Sequence, residues 1–452
     1  MKVSVIGLGK LGSPMAAVLA AKGHRVFGAD VSERYVDCIN RGEAPVFEPG
    51  LKEMLAKAGG RLSATTDVRE AVGHSDATFL IVPTPSGADG RFSMKYVLDA
   101  AQAVGEALRD KPGYHRVVLT STVMPGDTRS QLLPALEKAS GRKCPQDFGL
   151  LYSPEFISLG SVIRDMLRPD MVLIGESDPA SGEWLAGFYQ GVTENSPRAA
   201  RMSFANAELT KLALNTFVTT KISYANMLAQ ICEALPDGNV DAVTQALGLD
   251  TRIGPKYLKG GVGYGGPCFP RDNVALSALA KSLGVPAPLP ATTDAVNNMQ
   301  VDRYRCIVEA LLPPGGTVGI LGLAYKPGTN VVERSQGLDL ARVLAERGVA
   351  VRCFDPWAAE AARSVLPDSV GFASSAAECA QAADVVVLTL PAPEFLLSAE
   401  DLARPGQPRS VLDCWRLLDR QALSAACNYV GLGTADVQRA FGHQQHATRR
   451  AA

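Results

Sequence analysis

The sequence has no apolar run near the roughly 18 residues that a membrane-spanning helix requires. Its N-terminus, "MKVSVIGLGK", is a short strand broken by glycine rather than the apolar core of a signal peptide. Neither sign of charge is in excess: the formal net charge is −1. That balance excludes a broad electrostatic footprint for nucleic acid or an anionic membrane, so an anionic ligand must be held by local devices. The nine cysteines are odd in number and no two form a CxxC pair, which argues against a disulfide framework and a zinc site. No metal is expected, and the chain reads as cytoplasmic. At 46% apolar and 20% charged it also lacks the composition of a disordered protein. Its 452 residues exceed one ordinary core and imply two or three domains.

Short β-rich runs alternate with helical patterns through the first part. "KVSVIG", "HRVFGAD", "DATFLIVPTP", "HRVVLTSTV", "FGLLYSPEF" and "MVLIGE" are strand-like, and the alternation predicts a parallel sheet covered by helices over 1–204. From 206 to 235, Leu209, Leu212, Ala213, Phe217, Ile222 and Leu228 recur at helical spacing, with no Pro or Gly before Pro236. This predicts a long helix opening an all-helical middle region, 205–312. After "LLPPGG" the first pattern returns in "TVGILGLAYKP", "VAVRCFDPW", "DVVVLTLP" and "SVLDCW". A second, smaller doubly wound domain is expected over 313–440, and the polar stretch 441–452 reads as a disordered tail. The fold class is α/β, with two Rossmann-like doubly wound domains joined by a long helix.

Gly7, Gly9 and Gly12 stand in GxGxxG spacing between a strand and a helix. Gly7 serves the tight turn, Gly9 the approach of a pyrophosphate, and Gly12 close packing of helix on strand. Helix N-terminal amides hold the anion, with Lys10 and Leu11 completing the turn. The second strand ends in Asp30, at the interval of a ribose-binding acid, whose charge favours NAD over NADP. Thr84, Ser121 and Thr122 lie at the carboxyl ends of later strands, the edge where ligands sit in such sheets. A different cluster is "GGVGYGGPCFPRD", residues 260–272. Buried cysteines usually act as small hydrophobes, but Cys268 lies within a loop whose glycines leave the backbone open to a ligand. Lys211 and Asn215, four apart on the long helix, share one face and can converge on one oxygen.

The pieces "GLGKLG", "VPTP", "STVMPG", "SPEF", "AELTKLALNTF", "GYGGPCFPRD" and "GLAYKPGT" occur in the order and spacing of the UDP-glucose/GDP-mannose dehydrogenase family, which the chain resembles over about residues 1 to 435. The resemblance implies a central dimerisation domain, a homodimer or higher homo-oligomer, and oxidation of the C6 alcohol of a nucleotide-linked hexose to a carboxylate with two NAD and no metal. It implies that Cys268 adds to the intermediate aldehyde, giving a thiohemiacetal and then a thioester. By the same match Lys211 stabilises charge on the C6 oxygen, Asn215 orients water or sugar, and Asp272 shares proton handling with Lys211. Glu155 is the base for thioester hydrolysis and Thr122 helps to hold the water. Arg252, reaching a neighbouring subunit's substrate, and Tyr257, Lys259, Tyr264, Gly265 and Lys326 are the implied substrate contacts.

The chain departs from the family's usual pattern at Ser158, Leu159, Met227, Arg271, Glu333 and Arg334. These positions leave open UDP-glucose, an N-acetylated hexose, GDP-mannose or a rarer nucleotide sugar. A β-hydroxyacid dehydrogenase would need neither Cys268 nor the second α/β domain. A non-catalytic NAD and nucleotide-sugar sensor would be expected to have lost Cys268, Lys211 or Asp272, and all are present.

Overall fold

A computed structural model describes residues 1–404 and 406–441; the expected tail lies, from residue 442 on, outside the described residues. The chain divides into two compact units, 1–214 with 278–285 and 215–277 with 286–452.

The first unit holds β1 (Lys2–Ile6), β2 (Arg25–Ala29), β3 (Leu62–Thr65), β4 (Ala77–Leu80), β5 (His115–Leu119), β6 (Phe148–Tyr152), β7 (Met171–Glu176) and β8 (Arg198–Met202). They form one sheet in the order β3-β2-β1-β4-β5-β6-β7-β8. The central strands are buried on both faces, and their alternation divides the core. Val3, Val5, Phe79 and Val118 pack with Met15 and Leu19 on one side. Ile6, Leu80, Val117 and Leu119 pack with Val97 and Val104 on the other. The sheet departs from the expected all-parallel form at one place, where β7 pairs antiparallel with β6. The connection 153–170 turns back through the short helix Val162–Leu167 instead of crossing over the sheet. The unexpected strands β3 and β8 are only partly buried, so they lack the apolar run that marks a central strand.

The second unit holds β9 (Thr317–Leu321), β10 (Ala350–Phe354), β11 (Gly371–Phe372), β12 (Val385–Leu388), β13 (Arg409–Asp413) and β14 (Cys427–Gly431). Their order is β11-β10-β9-β12-β13-β14, with every pairing parallel. Tyr304, Ile307 and Val308 of the middle region belong to this sheet's core. The predicted long helix runs Phe204–Ala234. Leu212, Ala225, Ala229 and Cys232 are its buried apolar side. Among the described residues, no helix is long and apolar enough to cross a membrane.

Candidate active site

The glycine turn after β1 shows why only some of its glycines are obligatory. Gly7 has φ +98°, and a Cβ there would lie 2.5 Å from the Ile81 carbonyl oxygen. A Cβ on Gly12 would overlap the carbonyl oxygen of Gly7, so the helix Gly12–Ala21 could not approach the strand. At Gly9 a Cβ would meet nothing within 4 Å. Its surroundings are open, as an incoming pyrophosphate requires. Leu11, the N-cap, supplies no side-chain cap, and Lys10 is exposed. Asp30 accepts from the Leu8 amide at 2.6 Å and the Ser32 amide at 2.8 Å. A carboxylate has about four acceptor positions, so capacity for ribose hydroxyls remains. Open helix-terminal amides beside an acid with acceptors to spare fit NAD.

At the carboxyl edge of the sheet, Thr84 Oγ1 donates to the Thr122 carbonyl at 2.7 Å and Ser121 Oγ to the Val82 carbonyl at 2.6 Å. These bonds join the chain beyond β4 to the chain beyond β5. Glu208, wholly buried on the long helix, accepts from the amides of Gly126 at 2.5 Å and Thr128 at 2.9 Å. The turn following Thr122 is thereby anchored to the helix that carries Lys211.

Lys211 and Glu155 come together. The Lys211 ammonium donates to the main-chain carbonyl of Glu155 at 2.5 Å and lies 4.5 Å from the centre of the Phe156 ring. Although Glu155 as a residue is partly exposed, its carboxyl Oε1 is buried without a hydrogen-bond partner. Burial pushes this carboxyl's pKa up to about 7, against the opposing Lys211 charge and a hydrogen bond with Tyr189. The segment that follows is held by Glu48, which accepts from the amides of Gly160 and Val162, each at 2.7 Å. Of the departures there, Ser158 is exposed and Leu159 half-buried.

In the second unit Cys268 is exposed and immediately precedes the helix Phe269–Ser282. The Asp272 amide donates to the Cys268 carbonyl at 2.9 Å. Asp272 is 1% exposed, and its Oδ2 accepts from Asn215 Nδ2 at 2.6 Å. Arg271 stands 3.7 Å from the other carboxylate oxygen. An exposed thiol, a helix N-terminus and a buried carboxylate fixed by an amide thus share one turn.

The glycines before Cys268 correct an expectation. They do not simply leave room for a ligand, because protein fills most of that space. A Cβ on Gly261 would lie 2.8 Å from Trp415 and one on Gly266 2.6 Å from Tyr325, while one on Gly265 would overlap the Arg334 carbonyl. Gly266 also donates to the Glu333 carbonyl at 2.9 Å, and Arg334 holds a left-handed φ of +53°. The loop is tight because the chain 325–334 lies against it.

The implied substrate residues are more dispersed. Tyr264 is buried, with its hydroxyl bonded to Asp294 and accepting from Asn273 at 3.0 Å. Its oxygen therefore serves an internal network. Arg252 is 86% exposed in its side chain and folds onto Asp250 at 2.6 Å. Tyr257 and Lys259 are exposed, Tyr257 with φ +65°, and Lys326 is half-buried. Met227 is 40% exposed. Among the described residues, no group of three or more His, Cys, Asp or Glu side chains could hold a metal ion. Sequence reasoning missed Glu48, Glu208 and Asn226, whose Oδ1 accepts from the Gly261 amide at 2.8 Å.

The chain is similar to known proteins over most of its length. Residues 1–193 match the model of the NAD binding domain of the UDP-glucose/GDP-mannose dehydrogenase family, 205–299 its central domain and 319–420 its UDP binding domain. The chain is 37% identical over 426 residues to a UDP-glucose 6-dehydrogenase of Haloferax volcanii, covering 93% of this chain and 98% of that one. It is 36% identical over 361 residues to a GDP-mannose 6-dehydrogenase of Azotobacter vinelandii, covering 78% and 81%. The solved structure of a UDP-glucose dehydrogenase from Pyrobaculum islandicum superposes with a TM-score of 0.85 at 36% identity, over 96% of this chain and 98% of that one.

Proposed function

The chain belongs to the UDP-glucose/GDP-mannose dehydrogenase family, and from that premise we propose that it oxidises the C6 hydroxyl of UDP-glucose to a carboxylate. It is an NAD-dependent nucleotide-sugar 6-dehydrogenase. The observation that carries the residue-level reading is the first turn of Phe269–Ser282, with exposed Cys268 beside buried, Asn215-bound Asp272.

NAD, when bound, accepts the electron pair removed in each of the two oxidations. Gly7, Gly9, Lys10, Leu11 and Gly12 would hold its pyrophosphate, Asp30 a ribose, and Thr84, Ser121 and Thr122 the nicotinamide end. Lys211 stabilises negative charge on the C6 oxygen as the alcohol loses its proton, and Asp272 shares the handling of that proton. The Cys268 thiolate then bonds to the aldehyde carbon, giving a tetrahedral thiohemiacetal that can lose a second electron pair. Asn215 keeps Asp272 oriented. The oxidised adduct is a thioester, which water attacks with Glu155 as base and Thr122 as its anchor. Arg252, Tyr257, Lys259, Tyr264, Gly265 and Lys326 complete the sugar-nucleotide site, Arg252 from the neighbouring subunit.

We read residues 1–204 as the NAD domain, 205–312 as the central domain and 313–440 as the nucleotide-sugar domain of a cytoplasmic homodimer or higher homo-oligomer. Exposed Phe217, Tyr224 and Ile231 recur every seven residues on the long helix with Met227 between them, the pattern of a face that packs on a second copy. Ile231→Asp should yield monomers in sedimentation, with activity lost because Arg252 no longer reaches a partner's site. The relatives that act on GDP-mannose, with the departures at Ser158 and Glu333, make GDP-mannose the next substrate to try.

The test follows NADH absorbance with each nucleotide sugar. Wild type should form two NADH per sugar acid and release no aldehyde. Cys268→Ser should bind both ligands yet stall before the second oxidation, because a hydroxyl is a poor nucleophile near neutral pH. Near-normal formation of two NADH by that variant would make the thiol structural and remove the mechanism.

A further inference from the structure

The Glu155 side chain turns into a cavity of about 20 Å³ lined by Met15, Leu19, Ser153, Met166, Tyr189 and Val192, room for about one water. Its Oε1 is buried there without a partner. An ionised carboxylate is strongly disfavoured in such a place, so the observed conformer is that of the neutral acid.

The groups facing it come from four elements. Lys211, on the long helix, holds the Glu155 carbonyl at 2.5 Å. Asp165, on the helix Val162–Leu167, is on the cavity wall and pairs with Arg164 at 2.8 Å. Tyr189, on the helix Pro179–Val192, lines the cavity together with Glu155 and acts on its carboxyl. Ser153, after β6, donates to the Tyr189 hydroxyl at 3.3 Å. The first helix contributes only Met15 and Leu19.

We propose that this cavity is a resting site for the Glu155 carboxyl, that Tyr189 is the positioning residue that defines it, and that the carboxyl leaves the cavity when it ionises. The inference rests on the reading of Glu155 as the base for thioester hydrolysis. In that step the water oxygen bonds to the acyl carbon and one water proton passes to the Glu155 carboxylate. The C–S bond then breaks, its electron pair remains on Cys268 as thiolate, and the acid product ionises. Neutralised Glu155 withdraws into the cavity, and its proton reaches solvent when the side chain next emerges.

Tyr189→Phe decides between a carboxyl that leaves and one that stays. Acyl-enzyme decay would be followed by mass spectrometry in single turnovers across pH. For a carboxyl that can leave, weakening the resting site favours the exposed, ionised form. The apparent pKa of hydrolysis should then fall from about 7 toward the ordinary glutamate value of 4.5. For a fixed buried carboxyl, loss of a hydrogen-bond donor moves it upward. A rise, or no change, overturns the proposal.

A second measurement needs no turnover. Infrared difference spectra of resting wild type should show a protonated-carboxyl band that titrates near neutrality and is missing from Glu155→Gln. Its absence from wild type overturns the resting site. If the band is present in wild type but Glu155→Gln accumulates no acyl-enzyme, the cavity stands and the hydrolytic role of Glu155 falls.

Discussion

The two α/β units repeat one turn and use it differently. Gly7 and Gly322 both take left-handed φ values, +98° and +108°, and each amide donates to the end of the adjacent strand, at Ala29 and Phe354. Gly12 and Gly337 both lack a Cβ that would overlap the carbonyl of the turn glycine. Asp30 and Asp355 each follow the second strand. Asp30 is partly exposed and accepts two amides, from Leu8 and Ser32. Asp355 is 1% exposed and accepts four, from Leu323, Ala324, Trp357 and Ala358. With about four acceptor positions on a carboxylate, Asp355 has none left for a ribose. Position marks both acids, but only unspent acceptors mark a ligand-binding one.

The largest expected effect breaks the comparison on its structural side. Asp355→Asn leaves buried amides facing an amide nitrogen and should cost roughly 3–5 kcal/mol in chemical unfolding. Asp30→Asn should cost about 1 kcal/mol but raise the NAD requirement by roughly tenfold. If the two stability losses are equal, the distinction fails. Gly12→Ala and Gly337→Ala test the shared part. Each should destabilise its unit by about 1–3 kcal/mol, while only Gly12→Ala should also abolish NAD binding by calorimetry.

A pH effect separates the units further, because every described histidine lies in the first. His115, bonded to Thr78 at 2.8 Å within the sheet, has its pKa lowered to about 3 by burial and then by nearby Lys111, Arg142 and Arg116. Its folded pKa lies below the unfolded 6.5, so stability is full above pH 6.5 and falls as pH drops from there toward 3. At pH 5 the loss should be about 2 kcal/mol. His115→Gln should flatten that slope in unfolding curves; an unchanged slope would assign it to other groups. The smallest expected effect is Gly9→Ala. With nothing near its Cβ, stability should change by less than about 0.5 kcal/mol, whereas NAD affinity should drop because the methyl occupies the open side of the turn.

What was legible in the sequence is what local spacing encodes. Gly7, Gly12 and Asp30 could be placed because turn, helix and second strand follow in order, and the long helix announced itself by periodicity. Glu48 and Glu208 could not. Their nearest partners in sequence, Gly160 and Thr128, lie 112 and 80 residues away, and a glutamate bound to a distant backbone leaves no mark in its own neighbourhood. The glycines around Tyr264 were visible, but not what filled them, since Tyr325, Arg334 and Trp415 arrive from another part of the chain. The antiparallel turn of β7 was hidden for a related reason. A strand's composition reports its burial and not its direction.

The chain's cysteines differ in chemical vulnerability. Burial raises the thiol pKa of Cys353, Cys379, Cys414 and Cys427, to about 12 at Cys379 and about 11 at Cys427, which keeps them protonated and slow to react. Cys268 and Cys306 are exposed. Peroxide or an alkylating reagent will therefore spend itself first at the surface, and under the proposed mechanism one modified sulfur at residue 268 would silence a molecule whose fold is intact. The shelf life of a preparation is then a matter of thiol chemistry and not of unfolding, and activity lost in air without added reductant should return with dithiothreitol only while oxidation has stopped at the sulfenic acid or disulfide.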